Sequence, residues 1–434
     1  MDEQVLHLVW KYCLLNQLQC YTTNGERIQI VSPGTHNNQN SGPDFSTSKI
    51  RIGDNLWVGN VEIHKKTSDW YIHRHHLDKA YENVVLHVVY EDDIGESEDS
   101  DSLPIIELKK CVNPEVWEKI SLINKSKKNI PCSNFITLLN TEDWIDWQNL
   151  LVIKRFEKKA KDVRVLYNLN NKDWSKVVFQ LLAKSLGGTV NKDPFMVLTR
   201  ETPLEILNKH KCNLLSLESL LFGVAGMLKG NFKDVYPRKL QQEFQFLKHK
   251  YGLHEMDSHW WKWMRLRPNS FPTIQIAMLS SLLFNSSQIE NLFGMSSPRQ
   301  FKKELNRLSV LSPYWENHYR FDKPAKEKVK NWGKETLERI YINSVIPYQI
   351  AKKMELGELD FSDELNRLHD MKAENNKIIR GWKELCIPVS SAYQSQALIQ
   401  LFNDYCSRKK CLNCNIGLKV LKLTKYDQIC KEIS

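Results

Sequence analysis

The run Val84-Val85-Leu86-His87-Val88-Val89-Tyr90 is too β-branched to be anything but a buried strand, and it marks the first part of the chain as sheet-containing. Upstream, Lys49–Ile52 and Leu56–His64 read as two strands joined by the hairpin turn Gly53-Asp54-Asn55. Arg27–Val31 reads as another, closed by Ser32-Pro33-Gly34, and Pro104–Leu108 as the last. Two helices complete this region: Glu3–Leu18, with Val5, Leu6, Val9 and Cys13 roughly on one face, and Asp69–Glu82. The order helix, strands, helix, strand, strand predicts an α/β domain with a mixed sheet over residues 1–112.

From 113 to 434 the pattern changes to helices with few strand signals. The periodicity predicts them over Pro114–Ile123, Thr141–Tyr167, Trp174–Leu186, Leu214–Leu228, Lys239–Tyr251, Ile274–Phe284, Glu335–Lys353, Ser362–Cys386 and Gln394–Cys406. The fold class is therefore mixed α+β, an α/β domain followed by a larger all-helical one. The 434 residues are 41% hydrophobic and 26% charged, which suits a folded chain and excludes a disordered or collagen-like one.

There are 61 basic and 51 acidic side chains, giving a net charge of +10. Seven of the acids fall between Glu91 and Asp101, so the remainder carries 61 bases against 44 acids, or +17. A basic body of this kind favours a polyanionic partner. The start, Met-Asp-Glu-Gln-Val-Leu-His, has neither the basic region nor the apolar run of a signal peptide, and no stretch reads as a spanning helix. The expectation is a cytoplasmic protein with no membrane partner, its ten cysteines read as reduced thiols. Nothing in the sequence sets an oligomeric state.

The densest polar region is Pro33 to His87. Alternate side chains of a strand share a face, so Asn60, Glu62 and His64 point together while Val61 and Ile63 face the core. The acid and the histidine then line a polar face able to receive Asp44. Two carboxylates converging beside a basic residue can hold a divalent ion and activate water. A plainer reading makes Asp44 a turn cap and His64 a hydrogen-bonded core histidine. His73, His75 and His76 read as a solvated helix face, since their spacing matches no zinc signature, and His87 as a satisfied buried imidazole.

The spacing Pro43-Asp44, then after a hairpin Glu62-x-His64, resembles the PD-(D/E)xK nuclease pattern, with His64 where that pattern has lysine. The element order is also similar to that superfamily, whose core presents its acids at a bend in the sheet. The resemblance implies that Asp44 and Glu62 bind Mg²⁺ or Mn²⁺ and that His64 positions or deprotonates the water. In the RecB-like branch a later helix carries a Gln and a Tyr, which implies assisting roles for His76 and Tyr81. A neutral imidazole can orient water or bind metal, but it does not stabilise developing negative charge as an ammonium does. Lys65, Lys66 and Arg74 are the neighbouring candidates for phosphate contact.

A second cluster is Cys406-x4-Cys411-x2-Cys414, where Arg408, Lys409 and Lys410 favour thiolates. Three thiols need a fourth ligand to close a site for Zn²⁺ or a [4Fe–4S] cluster. Cys386 and Cys430 are nearest in sequence, while Cys13 or Cys20 would staple the two ends of the chain. The staple arrangement resembles RecB-family nucleases in which one N-terminal and three C-terminal cysteines hold a [4Fe–4S] cluster. The alternative is three reduced cysteines in a basic turn.

A third patch, His259-Trp260-Trp261-Lys262-Trp263-Met264-Arg265-Leu266-Arg267, alternates aromatics with bases. It could stack nucleobases and pair phosphates through Arg265 and Arg267. Alternatively, it is a tryptophan-rich helix end packed into the core. The basic run Lys154–Lys161 reads as a solvated helix face. No Gly-rich nucleotide loop, Walker loop or nucleophile elbow is present.

Taken together, Pro33-Gly34, Asn40–Phe45, Gly59–His64, Ser68-Asp69-Trp70, His76, Asp78 and Tyr81–Tyr90 resemble the domain-of-unknown-function family 2851. Arg265–Asn269 with Phe271-Pro272, and the stretch from Tyr405-Cys406 to Gly417, resemble its later portion. That family implies no activity. The residues themselves predict a nucleic-acid-processing protein, a divalent-metal-dependent phosphodiesterase acting on DNA or RNA. The alternatives are a non-catalytic nucleic-acid-binding or scaffold protein, and a metal- or iron–sulfur-binding protein responsive to redox state.

Overall fold

The computed structural model describes residues 2–37, 41–95 and 103–423. Its first segment is helix α1 (Glu3–Lys11), with Asp2 as N-cap accepting the Gln4 N–H. Cys13, in the left-handed region at φ 48°, follows the end of the helix, which stops well short of the expected Leu18. Five longer strands and one short one build a single sheet: β1 (Ile28–Ser32), β2 (Thr35–His36), β3 (Phe45–Ile52), β4 (Asn55–Lys66), β5 (Val84–Glu91) and β6 (Ile105–Glu107). Their order is β1-β3-β4-β5-β6, with β2 pairing the start of β3. The first three partnerships are antiparallel, whereas β4–β5 and β5–β6 are parallel, so the sheet is mixed.

A parallel partner requires a crossover. Here it consists of α2 (Asp69–Ile72) and two 3₁₀ turns, His75–Leu77 and Lys79–Tyr81, in place of the single helix expected over Asp69–Glu82. Arg74 breaks that helix by adopting φ 60°, and the Asp78 carboxylate then caps the last turn by accepting the Ala80 N–H at 2.9 Å. This break decides where His73 and His75 go.

As a central strand, β4 buries Val61, Glu62, Ile63 and His64 in succession. The expectation of one apolar and one open polar face is corrected accordingly, because covering both faces of the sheet buries both. Leu6, Trp10, Phe45, Ile50, Val61, Leu86, Val88 and Ile106 form the core around it. At the β1–β2 turn, Gly34 has φ +83°, and an added Cβ would lie 2.4 Å from Ser48 Oγ and 2.5 Å from the Ser46 carbonyl. Only glycine fits this close crossing of β3.

The chain divides into two compact units. One comprises the described parts of Met1–Asn149, Arg380–Pro388 and Leu398–Ser434, and the other Leu150–Ile379 with Val389–Ala397. The boundary expected at 112 therefore marks a change from strand to helix, not the edge of a compact unit.

The second unit is helical apart from a small hairpin, His318–Arg320 with Lys323–Pro324, which the sequence reading omits. The Lys334–Ile340 and Ile346–Glu355 helices join through a π turn at Tyr341–Val345. A buried carboxyl, Glu218, accepts from the Tyr236 hydroxyl at 2.7 Å and the Trp315 indole at 3.3 Å. Burial pushes that carboxyl up to about 7. Lys159 departs from the solvated face expected over Lys154–Lys161, because its ammonium turns inward to donate to Asn343 Oδ1 (2.7 Å) and Gln396 Oε1 (3.1 Å).

Candidate functional site

The site lies in the first unit, where the start of β3 crosses the middle of β4. Phe45 pairs with Val61, but Ser48 pairs with Gly59, so β3 carries one extra residue in a bulge around Thr47, at φ 56°. At the N-terminal side of that bulge, Asp44 and Glu62 interlock. The Asp44 N–H donates to Glu62 Oε2, and the Ile63 N–H donates to Asp44 Oδ2, each at 3.0 Å. Both carboxylates are thus fixed by backbone; Glu62 meets its other partners through Oε1, whereas Asp44 meets its own through the same Oδ2.

Those other partners are histidines. His7, on α1, places Nε2 3.2 Å from Asp44 Oδ2. Glu62 Oε1 lies 3.5 Å from both His64 Nε2 and His75 Nε2. His64 Nε2 is also 3.2 Å from His73 Nδ1, while its Nδ1 is hydrogen-bonded to His87 Nε2 at 2.9 Å. His87 sits on β5 directly opposite Glu62 in the parallel register. His87 is the satisfied buried imidazole the sequence predicts, and His64 combines both of its readings, being a core histidine at the carboxylate site. His73 is exposed, as expected, and His75 half-buried, but the two do not share a helix face. The Arg74 kink folds them back so that one ring nitrogen from each, with one from His64, fall within 4.8 Å of one another.

The electrostatics follow from burial. Glu62 is 6% exposed, and desolvation, reinforced by the Asp44 charge, pushes its carboxyl up to about 8. Desolvation and then the facing His87 hold His64 down to about 3, so it is neutral at physiological pH. His87 is held down to about 4, first by burial and then by His75. The Tyr81 phenol stands over His75 with ring centroids 3.9 Å apart. It is pushed up to about 12 by burial and by the Glu62 and Asp44 charges, so it is a proton donor and never a phenolate here. Trp70 closes the edge, 5.4 Å from His75 and 5.2 Å from His87 by ring centroids.

Two ring nitrogens, His7 Nε2 and His75 Nε2, are buried without a hydrogen-bond partner, although each lies near a carboxylate oxygen. Buried polar atoms left unsatisfied around an acid are what a cation site leaves when described without its ion. The spacing agrees. Ligands at about 2.0–2.1 Å on a tetrahedron stand about 3.3 Å apart. The Glu62–His64, Glu62–His75 and His64–His73 separations are 3.5, 3.5 and 3.2 Å. Asp44 and His7 lie alongside as further donors.

Asp44, Glu62, His64 and Tyr81 thus come together. His76 does not join them: it is exposed with its ring on Tyr71, and His75 faces Glu62 in its place. Lys65 and Arg74 are exposed nearby in the chain, and Lys66 lies 3.7 Å from Asp93 Oδ2. In the second unit Arg265 and Arg267 are exposed, but two of the tryptophans that precede them are committed to packing. Trp261 is buried and donates to the Ala225 carbonyl at 2.9 Å, and Trp263 lies beneath the Arg320 guanidinium, 4.3 Å from ring to cation. Sequence reasoning missed His7, which carries no local signal, and set aside His73 and His75, whose His-x-His spacing was the available clue.

The cysteine segment also differs from expectation. Cys386 is exposed, whereas Cys406, Cys411 and Cys414 are buried. Cys20 donates to the Asn16 carbonyl at 3.2 Å, Cys13 is half-buried, and Cys430 lies outside the described residues.

A family model described as "Protein of unknown function (DUF2851)" matches residues 3–377. The match ends before the cysteine segment, which the sequence resemblance had included. No curated protein and no solved structure matches the chain.

Proposed function

The chain belongs to the DUF2851 family, and because that description carries no activity we propose its function from the site: a divalent-metal-dependent phosphodiesterase of the nuclease type, acting on DNA or RNA. The observation that carries this reading is the convergence of Asp44, Glu62, His64, His73 and His75 at one bulge of the sheet. The donor set of imidazoles with carboxylate favours Mn²⁺, Zn²⁺ or Fe²⁺ over Mg²⁺, which prefers an all-oxygen shell. Such an ion, when bound, polarises a phosphoryl oxygen and makes its water more acidic.

The chain's own residues have separable tasks. Glu62, His64, His73 and His75 hold the cation, and His87 fixes His64 so that Nε2 faces inward. Asp44, which keeps about a fifth of its side chain exposed, is the carboxylate open to substrate and is placed to accept a proton from the attacking water. Tyr81, protonated throughout the physiological range, is the candidate donor to the leaving oxygen. Lys65 and Arg74 supply phosphate contacts at the rim, in keeping with the net charge of +10.

The test is purified protein with Mn²⁺ and end-labelled single- and double-stranded DNA and RNA, beside an Asp44→Ala/Glu62→Ala double variant. Cleavage by the parent alone supports the reading. Equal cleavage by both, or none by either on any substrate, defeats it. The second reading, binding without turnover, rests on the buried state of Glu62. It predicts salt-dependent binding that the double variant retains, since phosphate contacts come from bases.

A further inference from the structure

The second compact unit contains a cavity of about 310 Å³ that no part of the proposed reaction uses. Its walls come from three places: the end of the helix Trp174–Leu186, the start of the helix Lys192–Glu201, and the Lys334–Ile340 helix where it passes into the π turn. One basic side chain arrives from each, Lys184, Lys192 and Arg339, all of them exposed. No carboxylate lines the cavity. The acids next to these bases in the chain, Asp193 and Glu338, are not in its wall, and Glu338 is held by Lys302 at 3.0 Å. Three positive charges thus border one enclosure with no ion pair of their own among the described residues, an arrangement that a bound anion relieves.

The neutral groups of the wall are turned to donate. Asn343 Oδ1 accepts from Lys159 Nζ at 2.7 Å, and one hydrogen of its Nδ2 goes to the Arg339 carbonyl at 3.0 Å. Because lysine only donates, the amide is fixed in this orientation, and its second Nδ2 hydrogen is left for a ligand. The Ser185 hydroxyl donates to the Leu181 carbonyl at 2.8 Å, so Ser344 donates to Ser185 across 2.7 Å. That pair braces the end of one helix against the π turn, a feature that recurs at functional positions. At the start of Lys192–Glu201 the Asn191 side chain, placed to cap the helix, is bonded instead to the Lys262 backbone at 2.9 and 2.8 Å. This ten-residue helix therefore begins without a side-chain cap, and its first N–H groups favour an anion beside Lys192. Leu181 supplies an apolar patch in the same wall.

We propose that this cavity binds a phosphomonoester, its phosphate held by Lys184, Lys192, Arg339 and the Asn343 amide, its organic part against Leu181. A monoester carries about −1.5 to −2 at neutral pH, against about −1 for a diester within a strand, and so answers three cations better. The volume is that of the smaller organic-ligand sites, which begin at about 300 Å³. Hydrolysis of a phosphodiester leaves a monoester end, so nucleotides are the first monoesters to try. That choice of probe rests on the proposed function, whereas the cavity itself does not.

The experiment is calorimetric titration of the full chain with AMP, a 5′-phosphorylated trinucleotide, phenyl phosphate and adenosine. It is run in EDTA, which silences the cation site of the first unit. The phosphorylated probes should bind and adenosine should not. Lys192→Gln and Arg339→Gln should each weaken binding by about 10–100-fold, the loss of one charge-assisted hydrogen bond. Lys125→Gln, an exposed base of the first unit, should leave it unchanged. A trinucleotide tighter than AMP identifies a strand end as the ligand, and the reverse order a free nucleotide; either supports the site. Phenyl phosphate bound without either nucleotide supports the monoester site and overturns only the choice of nucleotides. The proposal is overturned if no monoester binds, if adenosine binds as tightly as AMP, or if both the Lys192 and Arg339 variants keep the parent's affinity.

Discussion

Replacing Glu62 by Gln should make the protein more sensitive to acid, although the substitution removes an acid. In the fold His64 and His87 stay neutral, held down to about 3 and about 4, while an unfolded histidine takes up a proton near 6.5. Between pH 7 and 5 the unfolded state therefore binds more protons, and each imidazole lowers stability by about 2 kcal/mol over that interval. Glu62 works in the opposite sense. Its folded carboxyl keeps a proton up to about 8, but its unfolded one loses it near 4.5. Over the same fall in pH the fold gains about 2.5 kcal/mol from Glu62, which offsets more than half of the histidine loss of about 4 kcal/mol. Glutamine keeps an oxygen for the Asp44 N–H and has no proton to bind. The variant should lose about 2.5 kcal/mol more than the parent between pH 7 and 5, because every other titrating group is common to both. Hydrogen exchange of the Val84–Glu91 segment in EDTA, corrected for intrinsic rates, reads this locally. Parallel profiles for the two proteins, or a variant less acid-sensitive than its parent, would refute the reasoning.

Two further outcomes follow from the same geometry. His87→Leu removes the partner of His64 Nδ1 without touching the proposed cation ligands, and should weaken Mn²⁺ binding by roughly 10–100-fold in a calorimetric titration. Unchanged affinity would show that His64 needs no support. Gly34→Ala puts a Cβ against Ser48 and the Ser46 carbonyl at positive φ. It should cost on the order of 1–3 kcal/mol in urea unfolding followed at the first unit, and a neutral result would mean the β1–β2 turn can relax.

Much of the sheet was legible because strand signals are local. The β-branched run at Val84–Tyr90 and the Gly53-Asp54-Asn55 turn each carry their structure within a few residues. The helix expected over Asp69–Glu82 failed for a reason periodicity does not report. Arg74 adopts a left-handed conformation within a polar stretch in which any residue type could continue a helix.

The sequence alone specified the mixed α+β class, the candidate acids Asp44 and Glu62 with His64, and a cysteine triplet wanting a partner. It could do so because those groups sit on one hairpin or one turn, where spacing implies geometry. Only the tertiary structure decided that His7 from α1, and His73 and His75 from the crossover, join that site. Side chains distant in sequence meet through sheet register and a broken helix. Neither of these leaves a fixed interval between residues for a linear reading to find.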